Sequence, residues 1–390
     1  MLEGADIVCF ANDWSTDPTS KHHLLRLFSE RNRVLWIEAS GMRRPDLTSA
    51  SDLGRIATKA KSFIRPARQM LPQLWAYSPP ALPLPGSEAA RRLNSMLYCW
   101  SIARELKRLG MSPNPIVWVY GPHVAPLIRD LPRSFLLYHC VDKWSAFAGY
   151  DSAFMERCEA EVCEQADLVL ASASDLAEGC ARYSSNVHYV PHGVDHAHFK
   201  QALDPGALPE DLAAIPTPRV GFFGLIHEWV DVELIGRLAD ALPYQFVLIG
   251  ASNQDMSAVL SRPNVHHLGR KPFATLPHYS RGFDAAIVPF RSTELTKSVN
   301  PIKLREYAAA GLPVVSTGLP EVVKCGDIVR IADDFETWVT QLRAAVQDGA
   351  DGAWRAAQSA RVKSEDWSAV CERISGWINQ AGAAVVAVMP

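Results

Sequence analysis

Residues 285–316 read AAIVPFRSTELTKSVNPIKLREYAAAGLPVVS. This stretch predicts a strand, a helix and a second strand, at Ala285–Pro289, Ile302–Ala310 and Val314–Ser316. Pro301 suits the first turn of the helix, Asn300 or Ser298 is available to cap it, and Gly311 ends it. A strand–helix–strand unit of this kind places two parallel strands side by side, with the helix packed on one face of the sheet.

The same alternation continues in both directions along the chain. Further strands are predicted at Ile7–Phe10, Val34–Ile37, Leu74–Tyr77, Ile116–Tyr120, Phe135–Cys140, Leu168–Ala171, Val187–Val190, Val220–Phe223, Phe246–Ile249 and Val265–His267. Helical patterns lie between several of them, at Ala89–Leu109, Val232–Ala241 and Phe273–Tyr279. We therefore expect an α/β chain with two doubly wound, Rossmann-like domains that face each other across a cleft, where ligands bind beyond the carboxyl ends of the strands.

The length of 390 residues suits two domains. Four prolines fall between residues 204 and 218, which indicates a linker. The predicted organisation is an N-terminal domain at 1–195, a linker at 196–218 and a C-terminal domain at 219–360. A C-terminal helix at 361–390 is expected to pack back on the first domain.

Composition excludes several classes of protein. The formal net charge is −3, which argues against a chain that binds nucleic acid by neutralising phosphates. The N-terminus lacks the pattern of a signal peptide, and no apolar run approaches the roughly 18 residues of a membrane-spanning helix. The 8 cysteines are scattered, as expected for reduced thiols. These features predict a cytoplasmic protein.

The helix start near Pro301 has the chemistry of an anion site. Its free N–H groups and the helix dipole favour negative charge, and Lys297 and Lys303 add positive charge beside it. Glu306 lies on the same helical face as Lys303, where its carboxylate could accept two hydrogen bonds from a ribose diol. The alternative is a capped amphipathic helix with a surface Lys–Glu pair.

Neither half carries a dinucleotide-binding or P-loop glycine motif. The segment from Asn300 to Val315 instead resembles the nucleotide-sugar site of GT-B glycosyltransferases, above all bacterial polysaccharide enzymes related to family four. The resemblance extends over the second domain and the stretch before it, through His192–Asp195, Gly221–Gly224 with Trp229 and Asp231, Val247–Gly250, Asn264–Pro272 and Phe283–Phe290.

The resemblance implies roles for individual residues on the donor side. Glu306 would hold the donor ribose, and Gly224 would allow the diphosphate to approach closely. The other implied donor contacts are the backbone around Val299–Ile302, including Asn300, and the loop at Arg270 and Lys271 beside the base. The resemblance also implies that the enzyme needs no cofactor and no metal.

Two departures from the family pattern concern the donor site. Many relatives carry a glutamate eight positions before the ribose-binding one, where this chain has Ser298. Relatives also often have a basic pair after the first glycine loop, for which His227 or Lys297 could substitute. The motifs fit UDP and GDP donors alike, and they fit retention as well as inversion of the anomeric centre.

Candidate acceptor-side residues follow strands of the first domain. The candidate catalytic residues are His139 and Asp142, at the end of the strand Phe135–Cys140, where Asp142 could act as a general base or orient an acceptor hydroxyl. The alternative is an aspartate that caps the next helix. Asp13 and Trp14, after the first strand, could contact sugar or acceptor.

Two other patterns concern a membrane and a metal. Apolar and basic residues alternate at helical spacing over 52–68, which fits either an amphipathic helix on the cytoplasmic face of a membrane or a surface helix on the first sheet. Four histidines between 188 and 198 lack the spacing of a metal-binding helix, so we expect no metal there.

The predicted function is transfer of a sugar from a nucleoside-diphosphate sugar to a glycan or lipid-linked acceptor, in bacterial cell-surface or exopolysaccharide synthesis. The predicted partners are therefore the donor, the saccharide acceptor and a peripheral membrane surface, and no nucleic acid. Two alternatives remain: a GT-B isomerase of the nucleotide-sugar 2-epimerase kind, and a non-catalytic GT-B scaffold subunit.

Overall fold

The computed structural model describes residues 1–38, 65–80 and 88–388. The chain forms two compact units. The first contains Met1–Pro191 together with Val370–Pro390, and the second contains His192–Ala369. Each unit is built on its own sheet, as expected from the two series of predicted strands.

The first unit has an eight-stranded sheet in the order β3-β4-β2-β1-β5-β6-β7-β8. Its strands are β1 (Asp6–Ala11), β2 (Arg33–Glu38), β3 (Arg68–Leu71), β4 (Leu74–Tyr77), β5 (Ile116–Val119), β6 (Phe135–Cys140), β7 (Leu168–Ala171) and β8 (Val187–Tyr189). Among these strands, neighbours run parallel except for β3 and β4. Its helices include α1 (Ser20–Phe28), α2 (Glu88–Arg108), α3 (Ala125–Ile128), α4 (Ser152–Gln165) and α5 (Ser174–Cys180).

The second unit has a six-stranded parallel sheet in the order β11-β10-β9-β12-β13-β14. Its strands are β9 (Arg219–Phe223), β10 (Gln245–Ile249), β11 (Val265–His267), β12 (Ala285–Val288), β13 (Val314–Ser316) and β14 (Arg330–Ile331). Its helices are α6 (His196–Lys200), α7 (Glu210–Ala213), α8 (Val232–Ala241), α9 (Ser257–Leu260), α10 (Leu276–Arg281), α11 (Glu294–Lys297), α12 (Ile302–Ala309), α13 (Pro320–Val323), α14 (Phe335–Gly349) and α15 (Gly352–Arg361). The parallel order brings the carboxyl ends of β9, β10, β11 and β12 to one edge.

The last helix, α16 (Trp367–Val388), begins in the second unit and continues in the first. Within the first unit, its Trp377 ring stacks on His188 at 4.6 Å between ring centroids. Most of the segment predicted to return to the first domain therefore belongs to the first unit, from Val370 onward.

The segment 196–218, predicted to be a linker, is folded into the second unit. Phe199 and Leu212 are fully buried there, and the Asp211 carboxylate accepts a hydrogen bond from the Lys271 Nζ at 2.7 Å. Pro209 is the residue before the short helix α7, so this proline lies at the start of a folded element and not in an extended linker. The linker prediction was wrong because local composition does not reveal these long-range contacts.

The structure also bears on the predicted basic helix, the cysteines and the apolar helices. Most of the predicted basic helix at 52–68 lies outside the described residues, but residues 65–67 are irregular and Arg68 begins β3, so a helix does not extend to residue 68. All 8 cysteines are free thiols, as predicted. Among the described helices, none is both long enough and apolar enough to cross a bilayer.

Candidate functional site

Three glycines lie together at the carboxyl edge of the second unit's sheet. Gly224, Gly250 and Gly269 follow β9, β10 and β11, and the Gly250 N–H donates to the Gly269 carbonyl at 2.9 Å. The backbone φ of Gly250 is +145°, and a Cβ atom there would lie 1.8 Å from the Gly224 carbonyl oxygen. The absence of side chains lets these loops pack directly against one another.

The side chain of Lys303 crosses over Gly224. A Cβ atom on Gly224, whose φ is +138°, would lie 2.0 Å from Cε of Lys303 and 2.6 Å from its Nζ. Lys303 belongs to the first turn of α12, whose N-cap residue is Pro301, so the predicted capping by Asn300 or Ser298 was wrong. Proline has no side-chain acceptor, and the N–H groups at the helix start are therefore not capped by the N-cap side chain.

One turn further along α12, the Glu306 side chain is buried, with 7% of the residue exposed. Burial raises the pKa of Glu306 to about 7; the Lys303 charge lowers it, and Asp195 raises it further. Among the described residues, none donates a hydrogen bond to this carboxylate. The neighbouring Tyr307 hydroxyl accepts from the Phe223 N–H at 2.8 Å, which fixes α12 against the end of β9. The result is a buried carboxyl, a lysine and a glycine loop at one edge of the sheet.

Two polar side chains before α12 hold the segment in place. Asn300 and Ser298 are buried, and the Asn300 Oδ1 accepts from Arg305 Nη1 at 3.0 Å. Arg305 is also paired with Glu365. Val299, between them, packs against the core of the unit. Within this group, the side chain of Asn300 contacts protein, while the backbone of 299–302 leads into the helix start.

The remaining predicted donor residues have other partners or lie outward. Lys297 pairs with Glu294 at 2.8 Å on the surface, and Lys271 pairs with Asp211. His227 stacks on Trp229, with 4.1 Å between ring centroids. Arg270 is exposed. Of the predicted donor residues, the structure therefore brings together Gly224, Lys303 and Glu306.

In the first unit, Asp142 lies just beyond the carboxyl end of β6. Burial raises the pKa of Asp142 to about 6, and the nearby Lys21 ammonium opposes the shift. Burial in turn lowers the pKa of Lys21, against the attraction of Asp142. His139 is 1% exposed within β6, where its ring stacks on Tyr120 at 5.0 Å between centroids. Asp142 thus stands at the open edge of the sheet, while His139 is part of the packed interior.

Asp13 and Trp14 lie in the loop after β1. The Asp13 carboxylate accepts hydrogen bonds from the backbone and side chain of Ser15, which lower its pKa. The Trp14 ring packs edge-on against Trp36 at 4.9 Å. The side chain of Asp13 thus stabilises the loop itself, and that of Trp14 packs the loop against β2.

Part of the second unit matches a known protein family. Residues 217–348 match the family model described as glycosyl transferases group 1. Among solved structures, sucrose-phosphate synthase from Thermosynechococcus elongatus aligns with a TM-score of 0.69 at 15% identity, over 97% of this chain and 100% of that one. The chain has the GT-B fold. The Anabaena protein Alr3699/HepE, solved in complex with UDP, aligns with this GT-B chain at a TM-score of 0.64 and 12% identity, over 96% and 100% of the two chains.

A protein that is similar in sequence is also described as a glycosyltransferase. The putative teichuronic acid biosynthesis glycosyltransferase TuaH of Bacillus subtilis (strain 168) is 30% identical over 209 residues, which are 48% of this chain and 52% of that protein. The GT-B chain therefore spans about half the length of this relative in the alignment. The predicted fold class, with two Rossmann-like sheets, and the predicted resemblance to polysaccharide-biosynthesis enzymes are confirmed.

The sequence analysis missed several residues at the carboxyl edge of the sheet in the first unit. Lys21 lies in α1, far from Asp142 in sequence, and its ammonium lies over the rings of Tyr120 and Trp144. His123 is beside them, 6.5 Å from Trp144 between ring centroids. The one available signal was that the loops after β5 and β6 must meet at the same edge of a parallel sheet.

Replacement of Gly224 by alanine is expected to lower the free energy of unfolding by about 1–3 kcal/mol, because φ of +138° strains an L-residue and the new Cβ collides with Lys303. Urea denaturation measures this loss. Gly269→Ala is the matched control, since its φ is +67° and no atom of the described residues lies within 4 Å of the added Cβ. Equal losses in the two variants would contradict the close approach of Lys303 to Gly224.

Proposed function

We propose that this chain is a glycosyltransferase that moves a sugar from a nucleoside-diphosphate sugar to a glycan or lipid-linked acceptor in bacterial cell-surface or exopolysaccharide synthesis. The observation that carries the proposal is the buried Glu306 carboxyl beside Lys303 and Gly224. The group 1 family match over 217–348 and the TuaH relative support it, because both concern glycosyltransferases.

The donor would bind at the carboxyl edge of the second unit. The Glu306 carboxylate has free acceptor oxygens for the two hydroxyls of a ribose, which would replace the water that burial has removed. The diphosphate would lie between the Lys303 ammonium and the N–H groups that open α12, over the glycine loop at Gly224. These groups are fixed before the reaction and would stabilise the negative charge that develops on the leaving diphosphate.

The acceptor would be handled by the first unit. A carboxyl with a pKa of about 6 is ionised at neutral pH and can still take a proton, so Asp142 suits a general base for an acceptor hydroxyl. Alternatively, Asp142 orients that hydroxyl by hydrogen bonding. His139, Asp13 and Trp14 would support this edge by packing. A peripheral contact with the cytoplasmic face of a membrane, suited to a lipid-linked acceptor, is part of the same proposal.

The experiment is an incubation of the full chain with UDP-, GDP- and dTDP-sugars, with and without a lipid extract that supplies acceptors. Release of nucleoside diphosphate that depends on the extract, with a glycosylated product seen by mass spectrometry, is the expected result. Conversion of the donor to an epimer without any acceptor would contradict transfer and identify an isomerase. No binding and no turnover of any donor would leave a scaffold role.

Removal of divalent metal is expected to leave the transferase rate unchanged. Lys303 and the start of α12 supply the positive charge that a metal ion would otherwise provide to the diphosphate. The measurement is the initial rate after dialysis against EDTA, compared with the same sample after Mg²⁺ is added back. Loss of activity that Mg²⁺ restores would contradict a metal-independent mechanism.

A further inference from the structure

A row of aromatic side chains follows β6 at the carboxyl edge of the first unit. The ring centroids of Trp144 and Phe147 are 5.7 Å apart, and those of Phe147 and Tyr150 are 6.0 Å apart. His123 extends the row on the other side of Trp144, at 6.5 Å. We call these four residues the aromatic row. All four residues are partly exposed, as is Asp142, which follows the same strand β6 as Trp144.

Two polar atoms in the aromatic row are buried without a protein partner. Among the described residues, none forms a hydrogen bond with His123 Nδ1 or with Trp144 Nε1. Burial, together with the nearby Lys21 charge, lowers the pKa of His123 to about 4, so its imidazole is neutral at physiological pH. Buried polar atoms are nearly always paired in folded proteins. A polar ligand at this surface would supply the missing partner of Trp144 Nε1, whereas His123 Nδ1 faces the backbone of Gly121.

The position of His123 depends on Gly121, two residues before it in the sequence. A Cβ atom on Gly121 would lie 2.5 Å from His123 Cε1 and 2.7 Å from Nδ1. The imidazole therefore lies directly over the backbone of the loop after β5. Sequence and structure together fix this ring at the edge where ligands of parallel sheets bind.

The charges next to the aromatic row offset each other. The Lys21 Nζ lies 5.6 Å from the Tyr120 ring centroid and 6.0 Å from that of Trp144, and it donates to Asn12 Oδ1 at 3.1 Å. The Lys21 ammonium and the Asp142 carboxylate attract each other, since each favours the charged form of the other. The surface therefore combines aromatic faces, neutral hydrogen-bonding groups and two charges of opposite sign that do not form a direct ion pair. This combination suits an uncharged ligand with apolar faces and many hydroxyls.

We propose that the aromatic row, with Lys21 and Asp142, binds a pyranose ring of the acceptor. The C–H face of the sugar stacks on Trp144 and Phe147, and its hydroxyls pair with Trp144 Nε1 and Asp142. This inference rests on the proposed transferase function for the identity of the sugar as acceptor. Saccharide recognition by these residues is a binding property that can be measured without turnover.

The test is saturation-transfer NMR on the full chain with the methyl glycosides of glucose, galactose, mannose and N-acetylglucosamine. Saturable binding of at least one glycoside is expected. Trp144→Ala and Phe147→Ala should each weaken its affinity by about five- to tenfold through lost stacking, and Trp144→Phe, which keeps a ring but loses Nε1, by a smaller factor. Trp100→Ala is the matched control, since Trp100 is 61% exposed on α2 of the same unit, and it should bind as wild type does.

UDP and GDP are titrated against the same samples. Nucleotide binding that is unchanged in the Trp144 and Phe147 variants shows that the second unit is folded, and unchanged dispersion of the methyl signals in their proton NMR spectra shows that the first unit is folded too. Absence of glycoside binding to wild type, or equal affinity in all variants, overturns the saccharide site while nucleotide binding leaves the proposed function standing. Binding of dodecylphosphocholine micelles, without glycosides, at these residues also overturns it in favour of a lipid surface. Absence of nucleotide binding with glycoside binding intact refutes the transferase instead.

Discussion

Replacement of Asp142 by asparagine is expected to lower kcat by about 10²–10⁴-fold and to leave KM for the donor unchanged. Asp142 lies beyond the end of β6, and burial holds the pKa of its carboxyl near 6. Above that pH the carboxylate can take the proton of the acceptor hydroxyl, whereas an amide of the same shape cannot. Initial rates of nucleoside-diphosphate release at saturating donor and acceptor measure the effect.

The pH profile separates the two roles considered for Asp142. The folded pKa is raised, so the base form is lost as pH falls through about 6. The wild-type kcat should therefore rise with pH through about 6 and level off above it, and this limb should be absent in Asp142→Asn. Asp175→Asn, at an exposed carboxylate paired with Lys143, is the control and should behave as wild type does. A large increase in KM for the acceptor, with kcat unchanged, would show that Asp142 only orients the hydroxyl.

The Glu306→Gln variant is expected to bind the nucleoside diphosphate about 30- to 100-fold more weakly than wild type. A buried carboxylate that accepts two hydroxyl hydrogen bonds contributes about 2–3 kcal/mol, which glutamine does not replace. Isothermal titration calorimetry with UDP or GDP measures the loss. Glu294→Gln is the matched control, because Glu294 is exposed on α11, where it pairs with Lys297.

Two further readouts identify the ribose as the group that Glu306 holds. Wild type should prefer the ribonucleotide over its 2′-deoxy analogue, and Glu306→Gln should lose that preference. Because the folded pKa of Glu306 is about 7, the native state binds an extra proton, and the free energy of unfolding should fall as pH rises from about 4.5 to about 7. This dependence should be weaker in Glu306→Gln. Unchanged affinity in the folded variant would remove the ribose assignment.

The strands were predictable because parallel strands covered on both faces are continuous apolar runs. In β5, all four residues, Ile116–Val119, are buried. The strand β3 was not predicted, since it is an antiparallel edge strand whose side chains are exposed or partly exposed. The two-residue strand β14 is too short to leave a pattern. Periodicity therefore identifies the covered centre of each sheet better than its edges.

The donor residues that were predicted and found together lie in one local motif and the loop it faces. Lys303 and Glu306 share α12, and Gly224 directly follows β9, so parallel-sheet topology brings them to the same edge. Lys271 was misjudged because its partner Asp211 lies 60 residues away in the sequence. Lys21 and His123 were missed for the same reason, since both lie beside the Trp144 ring, and Lys21 also acts on Asp142 through its charge. The surroundings of these side chains depend on residues that are distant in the sequence, and a local sequence pattern does not reveal such pairs.

The proposed function depends on binding of a nucleoside-diphosphate sugar by Glu306 and Lys303 of the second unit. Its most direct test is calorimetric titration of the full chain with UDP-, GDP- and dTDP-sugars, in parallel with Glu306→Gln and Lys303→Met. We expect at least one donor to bind at one site per chain, with an affinity that is strongly weakened in both variants. A chain that binds none of these donors, or binds one equally well in both folded variants, would contradict it.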